Sequence, residues 1–460
     1  MLYRVIISNF TSFADDCEFN MFPNPKRETF SGHVYENGPL QVLKSSAVYG
    51  ANGSGKTNFI QALSVLRNFA VKDVRGEKVT EEFSSWYKAN RFRLPVADEE
   101  KPIGFLAEFG HGGKAYIYFI EIGAKGVMTE KLILTCQDSK KKHVEIYSRE
   151  GSVIKFLRKK NTAGLKDVFT RQIKERPFST LLALEGGMHL LDDDDVKNAY
   201  LWFRDYLSVV QVSRRVSGLL NALHDNENLS RFVSDVFTRI GLGVKDVRVR
   251  DRDFNDVNVK EMMDIVGQKD LNILDKDPSL SMSLFHRDIV DVPSFSLNTV
   301  DGKHIIRDFV FSQLGRDGYV GDMELEVQSK GTVRLLSLMP ALYNVIRAEK
   351  TIVIDEIENS IHPMLIRRLI QLFGESASKG QLIFSTHETS LLDQQELLRP
   401  DEVWLIEKKD GCSNMYSLND FKIHKTLSLE KGYLDGRFGA IPFIGDLKLL
   451  TDGPEGTEVQ

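Results

Sequence analysis

Three short clusters carry residue types that can handle a nucleoside triphosphate. The first is Gly50-Ala51-Asn52-Gly53-Ser54-Gly55-Lys56-Thr57. Its glycines allow unusual backbone angles and let N–H groups approach phosphate oxygens. Ser46-Ala47-Val48-Tyr49 before it reads as a short β-strand. Apolar Phe59, Ile60, Leu63, Leu66 and Phe69 after it recur at helical spacing. Strand, glycine loop and helix in that order are the context the P-loop pattern requires, with the helix N-terminus facing the anion. Gly50, Asn52, Gly53, Ser54, Gly55, Lys56, Thr57 and Asn58 are the expected ATP contacts. Lys56 serves the β- and γ-phosphates, and Thr57 serves Mg²⁺.

The second cluster closes an apolar run, Ile352-Val353-Ile354-Asp355-Glu356. A strand ending in two carboxylates suits the Walker B role. Asp355 is the expected Mg²⁺ ligand, directly or through water. Glu356 is the expected acceptor of the attacking water's proton. The third is Ser385-Thr386-His387-Glu388, after the apolar Gln381-Leu382-Ile383-Phe384. His387 there could hydrogen-bond the γ-phosphate and the water, although a histidine by itself at such a place is more often a structural turn residue. Lys56 and Glu356 are therefore expected catalytic residues. Ser329 and Gly331, in Gln328-Ser329-Lys330-Gly331-Thr332, precede a helical pattern and are a further candidate for binding phosphate.

The clusters must be carried by a large scaffold. The chain has 460 residues, net charge −5, 42% hydrophobic and 27% charged residues. This is an ordinary globular composition, and nothing global marks a nucleic-acid coat protein. Cys17, Cys136 and Cys412 are scattered, which disfavours a disulfide framework or zinc site and fits a reducing cytoplasm. No apolar run is long enough to span a bilayer, and the N-terminus reads as a strand, not a signal peptide.

Residues 1–22 read as two strands around a Ser8–Phe13 turn, and residues 24–37 as a loop. Strands at 103–109 and 115–122 flank His111-Gly112-Gly113, with further strands near 127–136 and 143–148, predicting an antiparallel β-subdomain. Residues 151–320 read as a mostly helical insertion, with helices at Val196–Leu207 and Leu229–Ile240. Basic Lys155–Arg176 could touch nucleic-acid phosphates, but its apolar interleaving favours the solvated face of a helix. Lys140-Lys141-Lys142 reads as a hairpin tip, and Trp86 and Tyr87 as packing residues. Helices at 333–347, 363–373 and 389–398 alternate with strands at 351–354, 381–384 and 403–407, the pattern of a mostly parallel sheet. Residues 411–443 read as mostly irregular.

The order of these motifs resembles the ABC-type ATPases of the RecF, structural-maintenance and overcoming-lysogenization-defect group. The matching stretches are Ile7-Ser8-Asn9-Phe10-Thr11-Ser12-Phe13, the P-loop, Asp355-Glu356 and Ser385-Thr386-His387. The resemblance makes His387 the switch residue and a third expected catalytic residue, Ser329 and Gly331 the signature, which lacks the full Leu-Ser-Gly-Gly-Gln form, and Asn359-Ser360-Ile361-His362-Pro363 the D-loop. It implies an ATP sandwich in which Ser329 and Gly331 act in trans, so the minimal unit is a homodimer, with a higher oligomer also open. No Q-loop glutamine is assigned: Glu108 and Gln137 both fit poorly. Val42-Leu43-Lys44-Ser45-Ser46-Ala47-Val48-Tyr49, Phe421-Lys422-Ile423 and Gly436-Arg437-Phe438-Gly439-Ala440-Ile441-Pro442 further resemble the RloA/AbiL family of anti-phage, abortive-infection ATP-binding proteins, related to the PARIS and Septu ATPases.

The expectation is an α/β fold: an ABC-type P-loop ATPase head with a parallel core sheet, an antiparallel β-subdomain and an inserted helical region. Its expected segments are an N-terminal ATPase lobe (1–150), the insertion (151–320), a C-terminal ATPase lobe (321–410) and an extension (411–460). The expected activity is hydrolysis of ATP to ADP and phosphate in the cytoplasm. The resemblance implies the sensor or regulator subunit of an antiviral system, answering a phage-derived trigger and controlling a TOPRIM- or RloB-like nuclease. The chain after His387 is too short for a TOPRIM domain, so nuclease activity is expected from the partner. The rival reading is a DNA-repair clamp binding DNA directly, tested by charge reversal at Lys159 and Lys160. A P-loop scaffold that binds ATP without turnover is a third. Arg437 reads as a structural salt-bridge residue.

Overall fold

The structure is a computed structural model. It describes residues 1–37, 40–74, 79–94, 101–135, 143–158, 163–211, 215–254, 273–277, 279–285, 291–424 and 427–442. Cys136, Gln137, Lys140-Lys141-Lys142, Lys159 and Lys160 lie outside these residues. The chain divides into two compact units, each assembled from separated stretches. One holds Leu2–Thr29, Glu36–Tyr200 and Ser385–Gln460; the other holds Met1, Phe30–Tyr35 and Leu201–Phe384. The fold is mixed α/β, with parallel strands and separate antiparallel sheets, as expected.

In the first unit the P-loop strand Ser45–Gly50 is wholly buried and pairs in parallel with Val403–Lys409, which turns back antiparallel into Cys412–Ser417. The P-loop helix Lys56–Val71 packs through Phe59 against Phe19, whose ring also meets Trp404, at centroid distances of 5.0 and 5.1 Å. The helix and two strands distant in sequence thus stack through Phe19, and apolar burial drives the contact. The β-subdomain is a seven-stranded antiparallel sheet running Val153–Phe156, Val144–Glu150, Gly126–Thr135, Lys114–Gly123, Ile103–His111, Leu2–Ser8 and Cys17–Asn20. The hairpin expected at His111-Gly112-Gly113 is present; Gly112 and Gly113 both have positive φ.

In the second unit Leu207–Val210, Thr351–Ile354 and Gln381–Ser385 pair in parallel. Helices Lys330–Arg347 and Pro363–Glu375 form where expected. The region expected as mostly helical requires correction. Its helices run as far as Glu227–Arg239, and after them comes an antiparallel sheet: Val244–Asp253, Lys303–Leu314, Phe295–Val300 and Ser281–Leu284, with Val320–Glu324 also on Lys303–Leu314, and a further α-helical turn at 273–276. Its core gathers Phe254, Leu274, Phe295, Leu297 and Ile306. Charged Arg248-Val249-Arg250-Asp251-Arg252 does not look like a strand until its partner is known. The register then sets Arg250 opposite Asp308 and Asp251 opposite Arg307, and both pairs form ion pairs.

Three smaller expectations also change. The helix expected at 389–398 is a single 3₁₀ turn, Thr389–Leu391, followed by turns. The helix expected at Val196–Leu207 ends its α-helical part in Asp194–Leu201 and continues as a wider π-type turn, Trp202–Tyr206. The end of the chain, expected as irregular, contributes Cys412–Ser417 and the short helix Leu429–Leu434. The basic stretch behaves as a helix, Ala163–Glu175, with some charges used internally: Arg158 pairs with Asp195, and Arg176 with Asp73. Trp86 packs on Phe69 at 5.6 Å and Tyr87 is buried, so both are packing residues. Among the described residues, no helix is long and apolar enough to cross a membrane.

Candidate functional site

The P-loop has the backbone of a cradle. Gly50 leaves its strand at φ 157°, Gly53 has φ 76° and Gly55 has φ 118°. A Cβ on Gly50 would lie 2.4 Å from the Ile406 carbonyl oxygen and one on Gly55 2.5 Å from Ser413 Oγ, so neither position admits a side chain without displacement. The helix begins at Lys56 with Gly55 as its cap and no side chain closing the first turn, which leaves N-terminal N–H groups to an anion. Lys56 is buried, and its ammonium donates to the Gly50 and Ala51 carbonyls at 2.7 and 3.1 Å. Ser54 Oγ is buried and has no hydrogen-bond partner among the described residues. Asn52, Gly53 and Thr57 are exposed. A cradle closed to side chains, with a buried cation and an unspent hydroxyl, fits a polyphosphate, and Thr57 in the first turn is open to a divalent cation.

Behind the loop lies a brace the sequence reading did not find. Asn58 Nδ2 donates to Ser12 Oγ at 2.7 Å; Ser12 and Ser413 hydroxyls join at 2.7 Å; Ser413 Oγ donates to the Ser54 carbonyl. The Ser413 amide also donates to the Ser12 carbonyl at 2.7 Å. With one proton per hydroxyl, the relay runs Asn58 to Ser12 to Ser413 to Ser54. Asn58, expected as a nucleotide contact, commits its side-chain amide to this brace. The Ile7–Phe13 stretch gains a physical meaning: Phe10 and Phe13 exchange backbone hydrogen bonds across a tight turn, Asn9 and Thr11 take positive φ, and Ser12 is presented to the P-loop. Gly55→Ala should weaken binding of a fluorescent ATP analogue by about tenfold or more, since a side chain in this backbone region costs roughly 1–3 kcal/mol. Titration of the analogue measures this; affinity equal to wild type would mean that the loop does not need its left-handed turn.

His387 is exposed and sits between two ties to the P-loop strand. The Thr386 amide donates to the Val48 carbonyl at 3.1 Å, and Tyr49 Oη donates to the Glu388 carbonyl at 3.0 Å. The first unit therefore brings His387 to the strand that feeds the P-loop.

Asp355 and Glu356 lie at the end of Thr351–Ile354 in the second unit. Asp355 is buried and its amide donates to the Val210 carbonyl at 2.9 Å. Glu356 takes φ 45°, the left-handed region that a non-glycine residue enters only when its surroundings hold it. Ser360 of the expected D-loop takes φ 61°. Ser329 caps the helix Lys330–Arg347, accepting from the Thr332 amide at 3.1 Å and meeting Thr332 Oγ1 at 2.9 Å. A Cβ on Gly331 would meet the Ser360 carbonyl oxygen at 2.8 Å, so the glycine allows close approach of signature helix and D-loop backbone. Arg334, on the second turn of that helix, also escaped the sequence reading. It is buried, and its Nε and Nη2 have no hydrogen-bond partner among the described residues. Burial pulls its pKa down, while Asp291, Glu356, Asp355 and Glu358 hold it up. Arg437 is exposed, with its guanidinium 6.0 Å from the Phe438 ring centre, and forms no ion pair among the described residues.

No curated protein matches this chain. Among solved structures, an Smc head bound to the C-terminal winged-helix domain of ScpA is 14% identical, with 94% of this chain and 99% of that chain covered and a TM-score of 0.42. The head domain of the Thermotoga maritima SMC protein is 14% identical (92% and 99% covered, TM-score 0.38). A Pyrococcus furiosus Smc head with an extended coiled coil, bound to the C-terminal domain of ScpA, is 12% identical (95% and 99% covered, TM-score 0.40). A family model described as "AAA domain, putative AbiEii toxin, Type IV TA system" matches residues 45–393, from the P-loop strand to beyond His387. That match takes in more than half of the chain, and the protein belongs to this AAA_21 family of P-loop ATPases.

Proposed function

We propose that the protein binds and hydrolyses Mg-ATP and acts as the sensor or regulator subunit of a bacterial anti-phage system, controlling a partner effector, a nuclease. The observation that carries the nucleotide half is the pre-formed cradle, with Lys56 buried against the loop's own carbonyls and Gly55 held left-handed. The defence half is supported by the family's description, which names an abortive-infection toxin and a toxin–antitoxin system, and by the resemblance to anti-phage ATP-binding proteins.

In this reading ATP with Mg²⁺ supplies the phosphoryl group and the cation that neutralises its charge. The P-loop amides hold phosphate oxygens. Lys56 gives up its two carbonyls for them, and Thr57 and Asp355 hold the cation. Glu356 takes the proton of the attacking water, and His387 orients that water. The reading requires Lys56 and Thr57, Asp355 and Glu356, and His387 to serve one nucleotide, with Ser329 and Gly331 completing the site of a second copy.

Phosphate release and native mass with and without ATP test the proposal. Lys56→Ala should lower hydrolysis by about 10²–10³-fold, the usual cost of losing one pre-placed charge at a reaction centre, and should abolish ATP-dependent dimerisation. Equal phosphate release by variant and wild type would refute hydrolysis at this loop. Hydrolysis without a mass change would remove the sandwich but leave the site.

A further inference from the structure

The β-subdomain contains a second cavity, of about 460 Å³, that the nucleotide reading does not use. Its size falls within the ~300–1,000 Å³ of small-molecule sites. Met128, Ile173 and Pro177 supply apolar wall, and Met128 keeps 47% of its surface exposed. Exposed Lys125 and Lys174 are among its lining, and no Asp or Glu lines it among the described residues. Arg149 forms part of its floor and is already engaged, donating to the carbonyls of Gly151, Ser179 and Pro177 at 2.7, 2.6 and 3.3 Å. Apolar wall with unopposed lysines complements a molecule that is apolar at one end and anionic at the other.

Ser179 and Thr180, just after Pro177 of this wall, are tied to the far end of the P-loop helix. Ser179 Oγ donates to Asp73 at 2.9 Å and accepts from the Val74 amide at 2.9 Å, and Thr180 Oγ1 donates to the Phe69 carbonyl at 2.8 Å. We infer that this cavity is a binding site for a small amphipathic anion, a carboxylate or phosphate on an apolar body, and that its occupancy is felt at the C-terminal end of the P-loop helix.

The probe is 8-anilinonaphthalene-1-sulfonate, titrated by fluorescence on the full chain, with decanoate, phenyl phosphate and decanol as competitors. One saturable site per chain is expected. The Lys125→Glu/Lys174→Glu double variant should bind about tenfold more weakly with an unchanged melting temperature, since both side chains are exposed. Displacement by decanoate assigns a carboxylate head, and displacement by phenyl phosphate a phosphate. Amide exchange at residues 69–74 and 177–180 should slow when the probe binds. Affinity within about twofold of wild type in the double variant, or displacement by decanol as effective as by decanoate, would overturn the anionic assignment. Bound probe without protection at 69–74 would overturn the link to the helix. These readouts need no hydrolysis, so they stand or fall apart from the ATPase reading.

Discussion

Glu356→Gln is expected to slow steady-state phosphate release by about 10²–10⁴-fold while leaving ATP binding intact, the range attributed to a general base. The substitution keeps side-chain length and polarity and removes only the ability to accept a proton. Backbone tolerance supports its use: Glu356 sits at φ 45° in a turn fixed by the Asn359 amide donating to its carbonyl at 3.0 Å, and glutamine meets the same constraint as glutamate. The variant should therefore fold, bind ATP and accumulate the ATP-bound assembly, seen as a nucleotide-dependent mass that no longer decays. A second effect follows from Arg334. Glu356 is one of four carboxylates whose field holds up that buried guanidinium, so its neutralisation leaves Asp291, Asp355 and Glu358 to balance it. Steady-state release unchanged from wild type would remove Glu356 from the base role. Loss of binding together with turnover would identify a structural role for its charge.

Glu130→Ala should be the most destabilising single change in the β-subdomain, costing about 3–5 kcal/mol, the cost of leaving one member of a buried ion pair alone. Glu130 is wholly buried. Its carboxylate accepts from Tyr118 and Tyr147 hydroxyls at 3.1 and 2.9 Å and from the Leu181 and Leu182 amides at 2.7 and 3.1 Å, and lies 3.8 Å from Arg149. Burial pushes its carboxyl upward in pKa, while Arg149 and the two amides pull it back. The two amides open the helix Leu181–Met188, so the carboxylate closes a helix N-terminus from across the sheet. Removing it strands four donors and a buried guanidinium at once. A large drop in denaturation midpoint and new proteolysis near residues 181–188 would be seen, and Glu130→Gln should recover part of the loss. A change of less than about 1 kcal/mol would mean that water or Arg149's carbonyl partners compensate for the missing carboxylate.

Much of the candidate site was legible because its signals are local. The P-loop needs a strand, glycines at set positions and a helix within some two dozen residues, and the spacing alone specifies all three. Asp355-Glu356 was legible because it closes a short apolar run flanked by polar residues, whereas His387 was legible only through the resemblance to known ATPases. Ser12 and Ser413 were not, because neither differs in the sequence from the chain's other serines until Phe10–Phe13 turns and Cys412–Ser417 pairs beside Val403–Lys409. Arg334 was hidden for the opposite reason: an arginine on a helix reads as solvated, and only burial reveals that its Nε and Nη2 lack partners among the described residues.

The same division holds for the fold. Sequence by itself determined which segments are strands or helices wherever apolar periodicity is strong, and it determined the P-loop pattern of residues 50–57. Tertiary structure decided the antiparallel sheet after residue 244, because alternating Arg and Asp look like a solvated segment until the opposite strand supplies matching charges in register. It also decided what stands behind the P-loop and beneath the second cavity. Those features depend on hydrogen bonds between residues far apart in the chain, and chain spacing carries no record of them.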